Sequence, residues 1–234
     1  MNWSAAPTLG TDAGSLRERK KARTRQRLSD TATEMFLARG FDDVRVTEVA
    51  AACEVSEKTV YNYFPTKESL VLDRWDSTAK ALRSGLADTG QHPVDAVRRI
   101  LAGELAALTA WLEAQSDPAE AAETVRQFGR LIATTPALRA YQNDTMNELV
   151  TTTTDLLAKR AGLDADDPEP QIAASALIGL WGVHFTALRK YLDGVRSPAA
   201  VYQAVTSDVD AAAQLIRGGL ESRSWSPAMA RSRP

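Results

Sequence analysis

The sequence contains 234 residues, of which 44% are hydrophobic and 25% charged, and its formal net charge is −2. These fractions are those of a globular protein, and so small a net charge gives no reason by itself to expect a nucleic acid as partner. Cys53 is the single cysteine, which excludes a disulfide framework within the chain and fits a reducing cytoplasm. The residues after Met1 lack the cationic and apolar regions of a signal peptide, and we expect no membrane-spanning segment.

The N-terminal region changes from a polar tail to a strongly basic helix. Residues 1–15 are rich in small residues without periodicity and predict a disordered tail. The next residues carry seven cations and only one carboxylate, Glu18; the cations are Arg17, Arg19, Lys20, Lys21, Arg23, Arg25 and Arg27. An amphipathic stripe follows, made of Leu28, Ala32, Met35 and Phe36, and Gly40 ends that helix. The basic run predicts a salt-sensitive anchor for DNA phosphates, and an ordinary solvated face is the alternative.

Two short helices separated by a tight turn are predicted between residues 44 and 67. Thr47 is a suitable N-cap for a helix whose small apolar residues, Val49 to Cys53, give it one buried face. Ser56 is a second N-cap, and the helix after it ends before Pro65, whose ring and missing N–H group stop a helix. This arrangement predicts a helix-turn-helix motif.

The second helix of this motif is the predicted DNA-recognition helix. The residues near the start of such a helix contact base edges in the major groove, while flanking hydroxyls and cations contact phosphates. The predicted DNA-binding residues are Arg45, Thr47, Ser56, Glu57, Lys58, Thr59, Tyr61, Asn62, Tyr63 and Lys67. Thr66 is predicted to cap the following helix, whose first N–H groups could hold a phosphate. A solvated polar face on a small helix is the alternative interpretation.

This segment resembles the TetR family of one-component bacterial transcriptional regulators. The resemblance lies in Gly40-Phe41, Val49-Ala50, Val55-Ser56, Tyr61-Asn62-Tyr63-Phe64 and Lys67-Glu68-Ser69-Leu70. Two positions depart from the family pattern: Glu54 replaces the usual turn glycine, and Arg45 stands where threonine is common. A non-glycine residue in a left-handed conformation at position 54 would cost about 1 kcal/mol. The resemblance implies a ligand-responsive DNA-binding regulator, most often a repressor, that binds a palindromic double-stranded operator as a homodimer.

The rest of the chain is predicted to be entirely helical. One helix is expected to continue from Lys67 through Trp75, Leu82 and Leu86 and to connect the two halves of the protein. The predicted organisation is a tail (1–15), a helix-turn-helix domain (16–66), a connecting helix (67–87), a ligand-binding and dimerisation domain (88–221) and a second tail (222–234). The fold class is therefore all-α, with a three-helix DNA-binding domain before a larger helical domain.

Two features of the C-terminal half suggest function. Small residues such as Gly179, Gly182 and Ala211 on the last two helices allow helices to approach closely, and the resemblance implies that these helices pair with a second subunit. Packing within the chain is the alternative. Large or polar residues on otherwise aliphatic helices predict a pocket for an unknown small-molecule effector; they are Trp111, Phe128, Arg130, Tyr141, Asn143, Met146, Trp181, His184 and Phe185.

Catalysis finds little support in the sequence. The only histidines, His92 and His184, are far apart, and no spacing typical of a metal site or a nucleophile motif occurs. We expect no enzyme activity, no cofactor and no metal. The alternatives to a repressor are an activator of the same architecture, or a helical small-molecule-binding protein or enzyme with an incidental helix-turn-helix.

Overall fold

A computed structural model describes residues 16–72 and 75–221, except the side chains of Asp76, Leu220 and Glu221. Both predicted tails lie outside the described residues. Every regular element in the described part is a helix, which confirms the predicted all-α fold. The helices are α1 (Leu16–Arg39), α2 (Val46–Ala52), α3 (Glu57–Tyr63), a 3₁₀ helix (Glu68–Leu70), α4 (Trp75–Ala87), α5 (Pro93–Glu113), α6 (Pro118–Thr134), α7 (Pro136–Ala161), α8 (Pro168–Tyr191) and α9 (Pro198–Glu221).

The chain divides into two compact units. One contains the described residues before 73 together with Glu123–Gln142, and the other contains Trp75–Ala122 and the described residues from Asn143 onward. The predicted boundaries placed residues 123–142 with the C-terminal half. Periodicity identifies the helices in this segment but not the neighbours against which they pack.

The core of the first unit is formed where α1, α2 and α3 meet. Leu28, Ala32 and Phe36 of α1 are buried, as their spacing predicts, and Val60 of α3 and Phe64 at its end are fully buried. The C-terminal end of α1 is set by Gly40, which has a left-handed φ of 91° and donates from its N–H to the Phe36 carbonyl. The burial of these apolar faces, rather than the intrinsic stability of two seven-residue helices, holds the motif together.

The turn between α2 and α3 has the geometry of a Schellman motif. The N–H of Val55 donates to the Ala50 carbonyl, and the N–H of Glu54 donates to the Ala51 carbonyl. Glu54 has a φ of 54°, so the left-handed conformation considered from the sequence is present at a residue with a Cβ atom. The turn therefore keeps the geometry that glycine usually supplies.

Replacing Glu54 with glycine should stabilise the protein. Glycine adopts this φ without steric cost, so we expect the free energy of unfolding to rise by about 0.5–1 kcal/mol. Urea denaturation at fixed protein concentration measures this change. Gly40→Ala is the matched control, because it places a Cβ at the other helix end with positive φ and should lower stability. A destabilised Glu54→Gly variant would show that the Glu54 side chain contributes more than its backbone conformation costs.

Two predicted helix starts are wrong. Helix α2 begins at Val46 rather than after Thr47, because the Glu48 carboxylate accepts a hydrogen bond from the Arg45 N–H at 2.8 Å and caps the helix two residues earlier. The predicted continuous helix from Lys67 is instead the short 3₁₀ helix, followed by α4 from Trp75. Leu70, Val71 and Leu72 are all buried, and three consecutive buried residues do not fit the single stripe of an amphipathic helix.

The second unit is built around α5, α8 and α9, which pack against one another. Its core includes an apolar stripe of α5, in which Leu101, Leu105 and Leu112 are almost completely buried. Helix α8 is long and apolar enough to cross a membrane by length and composition, with 44% of the apolar window buried. The sequence predicts no membrane-spanning segment, and α8 packs against α5 and α9 as a core helix does.

Candidate nucleic-acid interface

Helix α3 presents its polar N-terminal face to solvent. Ser56 caps the helix, because its hydroxyl oxygen accepts a hydrogen bond from the Thr59 N–H at 3.1 Å, as predicted. Glu57, Lys58 and Asn62 are exposed, and Tyr61 is 44% exposed despite its aromatic ring. Because the other side of α3 is buried, these four polar side chains face solvent and can contact a partner.

The hydroxyl groups of Ser56 and Thr59 differ from these side chains because they already bond to each other, at 2.8 Å. Thr59 is also half-buried. In the structure, the hydroxyl groups of Ser56 and Thr59 stabilise the start of α3. Their predicted contacts with DNA stay predictions.

The start of α2 supplies two further exposed residues, Arg45 and Thr47. Arg39 and Glu48 form an ion pair of 2.7 Å beside them. The hydrogen bond from Arg39, together with that from the Arg45 N–H, lowers the pKa of the Glu48 carboxyl. The carboxylate that caps α2 therefore stays ionised to a lower pH than an ordinary glutamate, and it accepts the Arg45 N–H at the helix start.

Tyr63 and Arg25 join the end of α3 to α1. Arg25 donates from Nη1 to the Tyr63 carbonyl at 2.8 Å, and its guanidinium lies 4.7 Å from the centre of the Phe64 ring. Arg25 therefore differs from the rest of the basic run, since it stabilises the C-terminal end of the recognition helix. Sequence reasoning missed this contact because 38 positions separate the two residues.

Lys67 has a role in the fold. Its ammonium group donates to the Phe41 carbonyl at 2.5 Å and lies 4.3 Å from the centre of the Phe41 ring. The Ser69 N–H donates to Thr66 Oγ1 at 3.1 Å, so this N–H group is already satisfied within the chain. Thr66 therefore caps the 3₁₀ helix as predicted, and a phosphate contact of the other N–H groups at its start stays a prediction.

The predicted effector-binding residues do not form one group within either unit. Phe128, Arg130 and Tyr141 belong to the first unit, and the remaining six belong to the second. Arg130 is exposed and pairs with Glu123, and Asn143 is also exposed. Their assignment to an effector pocket stays a prediction.

Trp181 and His184 of α8 are buried, and a polar network surrounds the first of them. Trp181 is fully buried and donates from Nε1 to Glu104 Oε2 at 3.2 Å, while Thr78 donates to Glu104 Oε1 at 2.8 Å. The Glu104 carboxylate thus links α4, α5 and α8. Nothing in the spacing of these residues along the sequence indicated this network.

A cleft of about 280 Å³ lies between α5 and α9 in the second unit. Arg98 and Asp210 cross it with an ion pair of 2.6 Å, and Asp95 pairs with Arg217 beside it. None of the nine predicted effector-binding residues lines this cleft. Within residues 16–72 and 75–221, no group of three or more histidine, cysteine or carboxylate side chains is arranged to hold a metal ion.

Two family models match the chain, one near its N-terminus and one over much of the remainder. Residues 28–73 match the model of the bacterial regulatory proteins of the TetR family, and residues 104–214 match the MftR C-terminal domain. The chain belongs to the TetR family. It is a DNA-binding transcriptional regulator, and the first match contains both helices of the exposed motif described above.

Individual members of the TetR family match over much of the chain. The transcriptional regulator MftR of Mycobacterium tuberculosis is 27% identical over 87% of this chain and 94% of its own length. TcmR of Streptomyces glaucescens is 29% identical over 65% of this chain and 66% of its own length. The repressor KstR of Rhodococcus jostii is 28% identical over 74% of this chain and 75% of its own length.

Solved structures also match. The repressor NalD of Pseudomonas aeruginosa aligns with a TM-score of 0.49 and 19% identity, covering 82% of this chain and 97% of its own. FadR of Thermus thermophilus, solved in complex with lauroyl-CoA, aligns with a TM-score of 0.46 and 20% identity, covering 86% of this chain and 96% of its own.

Proposed function

We propose that this TetR-family protein is a repressor that binds a palindromic operator and leaves it when a small-molecule effector binds. The observation that supports DNA reading by α3 is its exposed N-terminal face, capped by Ser56 and bearing Lys58, Tyr61 and Asn62. Lysine and asparagine supply the donors and acceptors that recognise base edges in the major groove. The exposed hydroxyls and cations beside them suit phosphate contacts.

A homodimer formed through α8 and α9 would place two copies of α3 on the two half-sites. On α8, Ile172, Ser175, Gly179, Gly182 and Thr186 are all exposed at alternating spacings of three and four residues. This is the spacing of a helix–helix seam, and no atom outside the helix backbone lies within 4 Å of a Cβ placed on either glycine. On α9, Leu215 is 81% exposed. These residues are small or apolar except for the polar Thr186, they are exposed in the described chain, and they fit contact with a second subunit.

Release by an effector requires that the effector bind the DNA-free state more tightly than the DNA-bound state. Linkage then requires operator DNA to weaken effector binding by the same factor. Residues of the second unit such as Trp111 and Met146 remain our candidates for this pocket, and we propose that the protein acts in the cytoplasm.

The proposed function is tested by competition binding with the DNA upstream of the protein's own gene. A fluorescent duplex of that DNA is competed with the unlabelled duplex and with a scrambled duplex of equal length and composition. We expect the upstream DNA to bind at least about 10³-fold more tightly at physiological salt. MftR is named for mycofactocin biosynthesis, so DNA upstream of such genes is the second probe. Equal affinity for all duplexes would contradict the proposal.

Lys58→Ala should reduce sequence discrimination. A lysine near the start of the recognition helix can donate to guanine O6 or N7, and one such contact contributes about 1–3 kcal/mol of discrimination. We therefore expect the variant to lose affinity for the operator while its affinity for scrambled DNA is nearly unchanged. Equal losses on both duplexes, with a salt slope lower by about one, would instead show that Lys58 contacts a phosphate.

Tyr63→Phe should weaken binding to all DNA sequences by a similar amount. The change removes a hydroxyl group from a half-buried side chain but keeps the ring that packs in the domain. We expect affinity for every duplex to fall by about 0.5–1.5 kcal/mol, the net contribution of one hydrogen bond. Circular dichroism should show unchanged folding. Unaltered affinity on all duplexes would remove Tyr63 from the DNA contacts.

A further inference from the structure

The first part of α1 precedes the buried core of the domain. Helix α1 begins at Leu16, but its first buried residue is Leu28, and the TetR-family model also starts at residue 28. Residues 16–27 therefore form an additional helical segment that lies outside the family match. At the rise of an α-helix, it is about 18 Å long. We call residues 16–27 the basic arm.

The basic arm presents mainly positive charge to solvent, with Glu18 as its single carboxylate. Lys20, Arg23 and Arg27 lie on one side of the helix because they are spaced by three and four residues. Arg17, Arg19 and Lys21 are exposed as well. Within the described residues, none of these six side chains forms a hydrogen bond or an ion pair. They are thus available to a partner.

The charges of the basic arm do not stabilise its own helix. Cations near a helix N-terminus are unfavourable because the helix dipole is positive there. Arg19 and Arg23, like Arg23 and Arg27, are also like-charged pairs four residues apart, which are destabilising. An anionic partner would remove both effects, and a row of phosphates matches the length and the charge of the arm.

The C-terminal end of the basic arm, and the turn of α1 that follows it, are held by hydrogen bonds to residues at and after the end of α3. Arg25 bonds to the Tyr63 carbonyl at the end of α3, and Ser29 Oγ donates to the Leu70 carbonyl at 2.9 Å. Both contacts lie on the side of α1 opposite Lys20, Arg23 and Arg27. These contacts therefore fix the direction in which the arm extends from the helix-turn-helix motif when α3 binds DNA.

We propose that the basic arm binds backbone phosphates of duplex DNA flanking the operator, outside the site read by α3. This inference rests on the proposed DNA binding and adds a second, sequence-independent contact to it. The arm would bind through side-chain charges, so it contributes affinity and salt dependence without discrimination between sequences.

The test compares two triple variants with equal changes in charge. The arm variant is Lys20→Gln, Arg23→Gln and Arg27→Gln, since glutamine keeps a high helix propensity. The control variant is Lys80→Gln, Arg83→Gln and Lys159→Gln, three exposed cations outside the arm. Affinity for a scrambled duplex and for the upstream duplex is measured by fluorescence anisotropy from 50 to about 300 mM NaCl, a range over which phosphate contacts are strongly salt-dependent.

We expect the arm variant to lose affinity equally on both duplexes and its salt slope to fall by about 0.9 for each phosphate contact removed. The control variant should match the parent. Shortening the flanks of the upstream duplex should weaken the parent but not the arm variant. Equal behaviour of the two variants, or a loss confined to the upstream sequence, would overturn the proposal. So would an arm effect seen only on single-stranded RNA or anionic vesicles.

This experiment separates the basic arm from the proposed function. If the parent prefers its upstream DNA while the arm variant matches the control, the arm inference fails and the proposed function stands. If the parent shows no preference but the arm variant still loses affinity and salt slope, the arm contact stands and sequence-specific regulation fails.

Discussion

Gly182→Leu should prevent stable dimerisation and with it most of the affinity for a palindromic operator. Gly182 is exposed on α8, and no atom outside the helix backbone lies within 4 Å of an added Cβ, so leucine fits the isolated chain. In a helix–helix seam, the larger side chain would overpack at about 1–3 kcal/mol per site. A two-fold interface contains the change twice, giving about 2–6 kcal/mol, or about 30-fold to 10⁴-fold in the dimer dissociation constant.

Gly103→Leu is the matched control for this prediction. Gly103 is an exposed helical glycine on α5, with nothing within 4 Å of an added Cβ. Leucine has a higher helix propensity than glycine, so neither variant should lose its helix. Analytical ultracentrifugation should show monomers for Gly182→Leu and dimers for Gly103→Leu and the parent. Dimers in all three proteins would place the interface elsewhere.

Trp181→Ala should cause the largest loss of stability. Trp181 is fully buried, and its indole N–H donates to the Glu104 carboxylate. Removing the side chain leaves a cavity at a cost of about 3–5 kcal/mol in the free energy of unfolding. Urea denaturation measures this loss, at one protein concentration because the stability of a dimer depends on concentration.

Trp181→Phe separates the hydrogen bond from the packing. It keeps an aromatic ring but leaves Glu104 Oε2 without this donor, so we expect a smaller loss of about 1–3 kcal/mol. A loss below about 1 kcal/mol for Trp181→Ala would mean that the Trp181 ring lies against an internal cavity rather than against close-packed atoms. The sequence prediction that Trp181 lines an effector pocket would then be favoured over a role in the core.

The features that sequence predicted well are those set by neighbouring residues. The cap at Ser56 and the end of α1 at Gly40 depend on interactions within a few positions. The turn at Glu54 is also local, but the sequence left its geometry open. The burial of Val60 and Phe64 follows from helical spacing in the same way. The helix-turn-helix motif and its exposed face could therefore be predicted from the sequence.

The features that sequence missed depend on residues far apart in the chain. Arg25 was placed among the DNA-binding cations, but its contacts are with Tyr63 and Phe64. Glu104 joins Thr78 and Trp181, and 77 positions separate it from the latter. Periodicity indicates which side of a helix is buried but not which helix covers it, so a pocket assembled from several helices could not be predicted at the level of residues.

The central claim, that α3 reads a DNA sequence as part of a two-fold dimer, is tested most directly by selection from a random duplex library. The purified full-length protein is incubated with the library, and the bound duplexes are amplified and sequenced over several rounds. We expect enrichment of a palindrome whose half-sites are centred one helical turn, about 10–10.5 base pairs, or a multiple of that distance apart. Recovery of duplexes with no common sequence would contradict the account.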